Sequence, residues 1–339
     1  MLKGQWRWVA LVIALLAMAG NRAAAGLLVS SYATNSVAMF DEGTGQYLRT
    51  FVAPGTAGLL GPTGIAWGLD GNLYVTGVQA SVLRFNGTSG AFLGTFVPAG
   101  SGGLSHPVDM TFGPDGNLYI SSDSDGVNAI LKYDGRTGAS MGQFVPSGTG
   151  GMLNPYGIAF GPDGNLYVGN FVTSLQLQKI LKFDGTSGAL LSVVASRADA
   201  PDGPYDLAFG SDGLLYASEL YGNNIRRYNV ETGTYLGTFL PSVDAGGLRN
   251  PSTLAFGPDG DLYVSANGRG VYRVNGQSGV PIGLFAKEEV GKLLSPTFMV
   301  FAPIPEPGLM LALSMGTLLL RARPPHRAGR PIYPRRSDR

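Results

Sequence analysis

The chain has 339 residues, 44% of them hydrophobic, with 52 Gly, 22 Pro, no Cys and a formal net charge of +1. The length fits one large domain or two ordinary ones, and the lack of Cys excludes disulfides, thiolate metal sites and cysteine nucleophiles. Residues 26–303 carry 14 Lys and Arg against 21 Asp and Glu, whereas residues 308–339 carry 7 Arg against one Asp. The acidic body argues against a nucleic-acid partner, because neutralising phosphates provides most of that affinity.

The first 25 residues have the pattern of a secretory signal peptide. Two basic residues precede a 13-residue apolar run, and Ala23 and Ala25 provide the small residues required before the cleavage point. An uncleaved anchor helix is the alternative, but the run is shorter than the ~20 residues that span a bilayer. We therefore expect residues 1–25 to be removed by cleavage after Ala25.

One sequence pattern then occurs five times along the chain. Its copies span residues 61–75, 106–120, 154–168, 203–217 and 250–264. The Asp-Gly steps inside them are separated by 45, 48, 49 and 47 residues, a period typical of propeller blades or solenoid turns.

Each unit of the repeat predicts four short strands. In one unit, residues 157–160 form an apolar segment that leads into a Gly-Pro-Asp-Gly turn, and residues 165–168 alternate with the period of a strand. Residues 179–183 predict a third strand, and a hairpin connects them to a fourth over residues 190–194. Four strands in about 45 residues are typical of a propeller blade.

The two ends of the repeat region predict that the blades close into a ring. Residues 27–52 provide three strands without a first strand, and residues 296–301 provide a first strand with nothing after it. If they pair, they complete a sixth blade and remove the open sheet edges. The predicted fold class is therefore all-β: a six-bladed β-propeller of four-stranded antiparallel blades, over residues 26–303.

The opening PYGIA of residues 155–159 and the recurring Gly-Asn-Leu-Tyr-Val segments resemble the NHL repeat. The resemblance covers nearly all of residues 27–302 and implies a six-bladed propeller. Propellers of this kind serve as binding platforms, as lactonases of the gluconolactonase type and as lyases.

Residues 304–339 resemble the PEP-CTERM sorting signal of Gram-negative bacteria. The matching parts are a Pro-Glu-Pro triplet, a short apolar run and an Arg-rich end, carried here by Pro305, Glu306 and Pro307, by residues 308–320, and by a tail that begins with Arg321 and Arg323. The resemblance implies transient membrane insertion, cleavage near the triplet by an exosortase, and export to the envelope or extracellular matrix. The basic tail would keep the end of the chain on the cytoplasmic side. A buried C-terminal core helix is the alternative, which seven Arg argue against.

Positions that depart from the repeat consensus without helping the fold are candidate site positions. The third position of the openings holds Gly64, Asp109, Gly157, Asp206, Thr253 and Phe298, and the position after the second strand holds Ser31, Gly77, Ser122, Asn170, Glu219 and Ala266. Asp109, Asn170, Asp206 and Glu219 would gather at one mouth of the channel. Because calcium takes six to eight oxygen ligands, they predict a calcium site. The alternative is that Asp109 and Asp206 accept backbone hydrogen bonds at the starts of strands.

The recurring polar residues have a structural interpretation. His106 and His326 are the only histidines, so a three-histidine zinc site cannot be built, and His106 is predicted to be a turn residue. The Asp residues of the Asp-Gly steps are attributed to turn geometry. The five recurring tyrosines are predicted to pack between blades, and they are Tyr74, Tyr119, Tyr167, Tyr216 and Tyr263.

Two functions are consistent with this sequence, and no catalytic residue is assigned. The first is an exported, non-catalytic propeller that binds or supports an envelope protein or polysaccharide. The second is a calcium-dependent, lactonase-like hydrolase or lyase with its site in the central channel.

Overall fold

A computed structural model describes residues 26–124, 127–172, 178–196, 202–242, 247–266, 268–289 and 292–302. They form 24 strands in six four-stranded sheets, which confirms the predicted all-β six-bladed propeller. The predicted signal residues Ala23 and Ala25 and the predicted sorting residues from Pro305 to Arg323 lie outside the described residues. Within the described ranges, no helix has the length and apolar character needed to cross a membrane.

The strands follow the chain in blade order. Blade 1 contains β1 (Gly26–Ser31), β2 (Ser36–Asp41) and β3 (Tyr47–Val52); blade 2 contains β4 (Pro62–Trp67), β5 (Leu73–Gly77), β6 (Val82–Phe85) and β7 (Phe92–Val97); blade 3 contains β8 (Pro107–Phe112), β9 (Leu118–Ser122), β10 (Ala129–Tyr133) and β11 (Ser140–Val145). Blade 4 contains β12 (Pro155–Phe160), β13 (Leu166–Asn170), β14 (Lys179–Phe183) and β15 (Leu190–Ser196); blade 5 contains β16 (Pro204–Phe209), β17 (Leu215–Glu219), β18 (Asn224–Asn229) and β19 (Thr234–Leu240); blade 6 contains β20 (Pro251–Phe256), β21 (Leu262–Ala266), β22 (Gly270–Val274) and β23 (Pro281–Lys287). The last strand, β24 (Pro296–Phe301), is the first strand of blade 1.

The ring closes through this last strand. β24 pairs antiparallel with β1, with Leu27 opposite Phe301 and Val29 opposite Met299. The amide of Ala302 donates to the carbonyl of Gly26 at 2.8 Å. The first strands of neighbouring blades pack side by side around the centre, and β24 contacts both β20 and β4. The circle is therefore complete, and β1 is paired on both sides instead of being left as an open edge.

The second strand of each blade is buried along its whole length, because each blade is covered by a neighbour on both faces. The fourth strands lie at the rim, and exposed residues recur along them. Burial is thus greatest along the second strands and falls towards the rim.

The recurring tyrosines pack between blades, as predicted. The ring of Tyr119 lies 4.9 Å from both Phe144 of its own blade and Phe160 of the next blade. Each of the five tyrosines also donates its hydroxyl to the Asp of its own Asp-Gly turn, at 2.9–3.0 Å. That Asp accepts a second bond from the backbone amide two residues later. The Asp residues are therefore turn residues that also satisfy a buried tyrosine.

Candidate functional site

Asp109 and Asp206 lie at the centre of the ring. They are 6% and 4% exposed, and they occupy equivalent positions on the first strands β8 and β16. Both line a cavity of about 330 Å³, to which the first strands of all six blades contribute. The structure therefore brings these two predicted site residues to one cavity.

The oxygens of both carboxyl groups are engaged by backbone amides. Asp109 Oδ1 accepts from the next residue's amide at 2.7 Å, and its Oδ2 accepts from Ile158 of blade 4 at 2.9 Å. Asp206 repeats the arrangement, with its own next residue at 2.8 Å and with Leu254 of blade 6 at 2.8 Å. Each carboxyl group joins its first strand to the first strand of the following blade. This is the hydrogen bonding that the structural alternative predicted.

Glycines make room for the two aspartates. A Cβ atom on Gly157 would lie 2.4 Å from the Cα atom of Asp206, and one on Gly64 would lie 3.2 Å from the carbonyl carbon of Asp109. The preceding blade therefore approaches each Asp at the backbone level, which a larger residue would prevent.

Burial changes the protonation of the pair. It raises the pKa of Asp206 to about 7, because the surrounding strands replace the water that would solvate its charge. Burial also raises the pKa of Asp109 well above its ordinary value, and the negative charge of Asp206 adds to this effect. Near neutral pH the two groups therefore resist carrying charge at the same time.

Asn170 and Glu219 lie at the ends of β13 and β17, and neither lines the central cavity. Asn170 Oδ1 accepts from the amides of Leu153 and Asn154 at 2.7 and 3.2 Å. Asn170 thus binds the segment that leads into the first strand of its own blade.

Glu219 is fully buried. Its Oε2 accepts from the amide of Asp202 at 2.9 Å and forms an ion pair with Arg226 Nε at 2.9 Å. Burial raises the pKa of Glu219 to about 7, although these two partners favour the charged form.

The calcium-site hypothesis therefore has two of its four residues at one cavity and two elsewhere. Within the described ranges, no three His, Cys, Asp or Glu side chains lie together in a way that could hold a metal ion. His106 is an exposed loop residue, and its carbonyl accepts from the amide of Asp123 at 2.9 Å.

Sequence reasoning missed an aromatic cluster on one face of the ring. Its members are Tyr156, Phe171, Tyr205 and Tyr221, which together we call the aromatic face. Neighbouring ring centroids are 4.7–5.7 Å apart. Comparison of equivalent positions could have found it, because the second residues of the six first strands are Thr63, Val108, Tyr156, Tyr205, Ser252 and Thr297. Only two adjacent blades have an aromatic residue there.

The sequence matches no protein-family model and no curated protein. Among solved structures it is similar to a chain of a nidogen/laminin complex, with a TM-score of 0.64, 16% identity, and coverage of 82% of this chain and 98% of that one. It is also similar to a protein of unknown function from Bacteroides caccae, with a TM-score of 0.60, 16% identity and coverage of 82% and 98%. A gluconolactonase from Xanthomonas campestris has a TM-score of 0.56 and 18% identity, with coverage of 71% and 79%. At these identities the similarity shows the fold alone: the chain is a six-bladed β-propeller whose distant structural neighbours include both a binding complex and a lactonase.

Proposed function

We propose that the protein is an exported, non-catalytic propeller of the NHL type that acts in the cell envelope or extracellular matrix and binds a polysaccharide or a protein through one face of its ring. The observation that carries this proposal is the bonding of Asp109 and Asp206. Each carboxyl group accepts one hydrogen bond from a backbone amide of its own strand and one from a backbone amide of the next blade. A general base must be within reach of a substrate proton. The carboxyl oxygens of Asp109 and Asp206 instead accept hydrogen bonds that connect neighbouring blades.

The described strands are compatible with the proposed processing at both ends. β1 is described from Gly26 onwards, and β24 ends at Phe301, before the Pro305 triplet. Removal of both predicted sorting segments would therefore leave all 24 strands. An exosortase could release the propeller without breaking the pairing that closes the ring.

The test is retention of an envelope component. The protein is purified from cells that express the full chain and is applied to a glycan array and to solubilised envelope extract. We expect the folded protein to retain a polysaccharide or a protein, and the heat-denatured protein, which has the same composition, to retain none. If the folded protein retains no envelope component, the proposed function is wrong.

A second candidate is a calcium-dependent, lactonase-like hydrolase or lyase. It is favoured by one observation: two buried carboxyl groups with raised pKa values face the same central cavity of about 330 Å³. If this candidate is correct, millimolar calcium raises the melting temperature and magnesium does so less, because bound ligand stabilises the folded state.

The double variant Asp109→Asn/Asp206→Asn should then lose the calcium effect, whereas the exposed control Glu231→Gln should keep it. Lactone hydrolysis is measured on the same samples. A melting temperature independent of calcium, together with no lactone hydrolysis, would remove this candidate.

A further inference from the structure

The aromatic face lies where first strands begin and second strands end. Tyr156 and Tyr205 are the second residues of β12 and β16, and Phe171 and Tyr221 follow the ends of β13 and β17. Three of the four side chains are partly exposed, and Tyr221 is 49% exposed. The recurring tyrosines of the blades, by contrast, are at most 1% exposed. The four rings thus form a surface, not part of the core.

The backbone holds this surface in place. Phe171 donates its amide to the carbonyl of Asn154 at 2.9 Å, and Tyr221 donates its amide to that of Asp202 at 3.2 Å. The rings of Phe171 and Tyr221 stack with an interplanar angle of 27°. Gly203, at a φ of +81°, lies against both rings, and a Cβ atom there would approach each of them to 2.9–3.0 Å. The stack therefore depends on a glycine between the two blades.

The fold itself does not need these aromatic residues. At the positions of Tyr156 and Tyr205, blades 2, 3 and 6 have Thr63, Val108 and Ser252, yet they form the same four-stranded sheets. A cluster of partly exposed aromatic side chains that the fold does not require is typical of a binding surface.

The chemistry of the surface favours a sugar ring. The face of an aromatic ring is electronegative, and it attracts the C–H groups on the apolar face of a pyranose. Three of the four side chains are tyrosines, whose hydroxyls can bond with sugar hydroxyls. Burial raises the pKa of the Tyr156 phenol to about 12, and the negative charge of Asp123 adds to this effect.

Charge and area argue against other ligands. Residues 26–303 have 21 acidic against 14 basic residues, so an anionic polymer or an anionic lipid surface would be repelled. A stable protein interface buries roughly 800 Å² on each partner. A fully exposed aromatic side chain presents about 150–250 Å², so four partly buried ones offer well below that area.

We infer that the aromatic face is a carbohydrate-binding site that stacks Phe171 and Tyr221 against the rings of a neutral polysaccharide. This inference rests on the proposed binding function and names its ligand class and its site.

The test is affinity electrophoresis of the protein made from the full chain, in native gels that contain dextran, amylose or galactomannan, with the anionic polymer alginate as the comparison probe. We expect a neutral polysaccharide to retard the protein. Phe171→Ala and Tyr221→Ala should each weaken the binding about tenfold, which corresponds to one lost stacking contact. Tyr221→Phe should retain most of the binding, because the ring face remains.

The matched control is Phe92→Ala, which removes a ring that is 42% exposed on β7, away from the aromatic face. It should bind as the unchanged protein does, and thermal unfolding should show that every variant is folded.

Unchanged affinity in both alanine variants, or retardation by alginate alone, overturns the inference. If none of the three neutral polysaccharides binds while a protease-sensitive envelope component is retained, the inference is wrong and the proposed function stands. If nothing is retained, both are wrong.

Discussion

The carboxyl group of Asp206 lies between two first strands and accepts a backbone hydrogen bond on each side, at 2.8 Å. Asp109 does the same between blades 3 and 4. These contacts use an acidic side chain as a structural link. The sequence shows that an Asp stands at the third position of the strand. It does not show which two backbone amides donate hydrogen bonds to that Asp.

Replacing Asp206 by Asn should destabilise the fold. The Asn side chain has one acceptor oxygen and one NH2 group, so it presents a donor to one of the two backbone amides. A buried amide without an acceptor costs about 1–3 kcal/mol. The measurement is the free energy of unfolding by urea at pH 6, where Asp206 is mainly uncharged and its hydroxyl oxygen still has a lone pair for the backbone amide, which the NH2 group of Asn lacks. The exposed control Glu231→Gln should change it by less than about 0.5 kcal/mol, and equal stability of the two variants would contradict the link.

Stability should fall as the pH rises from 5 to 7. The folded-state pKa of Asp206 is about 7, above its ordinary value of 3.8, so between these values the folded protein holds a proton that the unfolded chain has released. Glu219, with a folded-state pKa of about 7 against 4.5, acts in the same direction. Each group can contribute up to about 1.4 kcal/mol per pH unit. The loss should level off above the folded-state pKa values.

Urea unfolding across this pH range gives the measurement. The profile of Asp206→Asn should be flatter than that of the unchanged protein, because one of the titrating groups is gone. Stability that does not fall from pH 5 to 7 would contradict the raised pKa values of these two groups.

At the scale of elements, the blade is specified by local signals. The Pro-Asp-Gly turn, the alternating strand and the Asx hairpin recur, and Asp41, Asn86, Asp134 and Asp184 accept the same two following amides in their hairpins. Strands β14 and β24 agree with the predicted residues 179–183 and 296–301. Others extend further: β13 reaches Asn170 instead of Val168, because pairing with β14 continues beyond the alternating pattern.

Removal of β24 should have a much larger effect than removal of the residues after it. A chain that ends at Ala302 keeps the pairing of β24 with β1, whereas one that ends at Ser295 leaves β1 as an open edge. We expect the first truncation to unfold at nearly the temperature of the full chain and the second to lose cooperative unfolding or to aggregate. Circular dichroism and size-exclusion chromatography measure both. A monomeric, cooperatively folded chain without β24 would show that closure is dispensable.

At the scale of the whole molecule, the proposed export predicts processing at both ends. Replacing Pro305, Glu306 and Pro307 by Ala should leave an uncleaved precursor in the membrane fraction, because the proposed exosortase would no longer recognise it. Mass spectrometry of the released protein should show an N-terminus at Gly26 and a C-terminus close to the triplet. A released protein that still contains Arg321 and Arg323 would contradict the sorting proposal, and the fold would be unaffected by that result.

The sequence by itself determined the number of blades, their strand order and the closure of the ring, because these follow from turn residues and alternation that act over a few positions and recur with one period. The tertiary structure decided which side chains meet. Phe171 and Tyr221 are fifty residues apart, and they stack where Gly203, which has no Cβ atom to displace either ring, packs against both. The bonds of Asp109 and Asp206 to the next blades arise in the same way. Contacts between blades depend on how the strands pack around the centre, and no local pattern of residues encodes that packing.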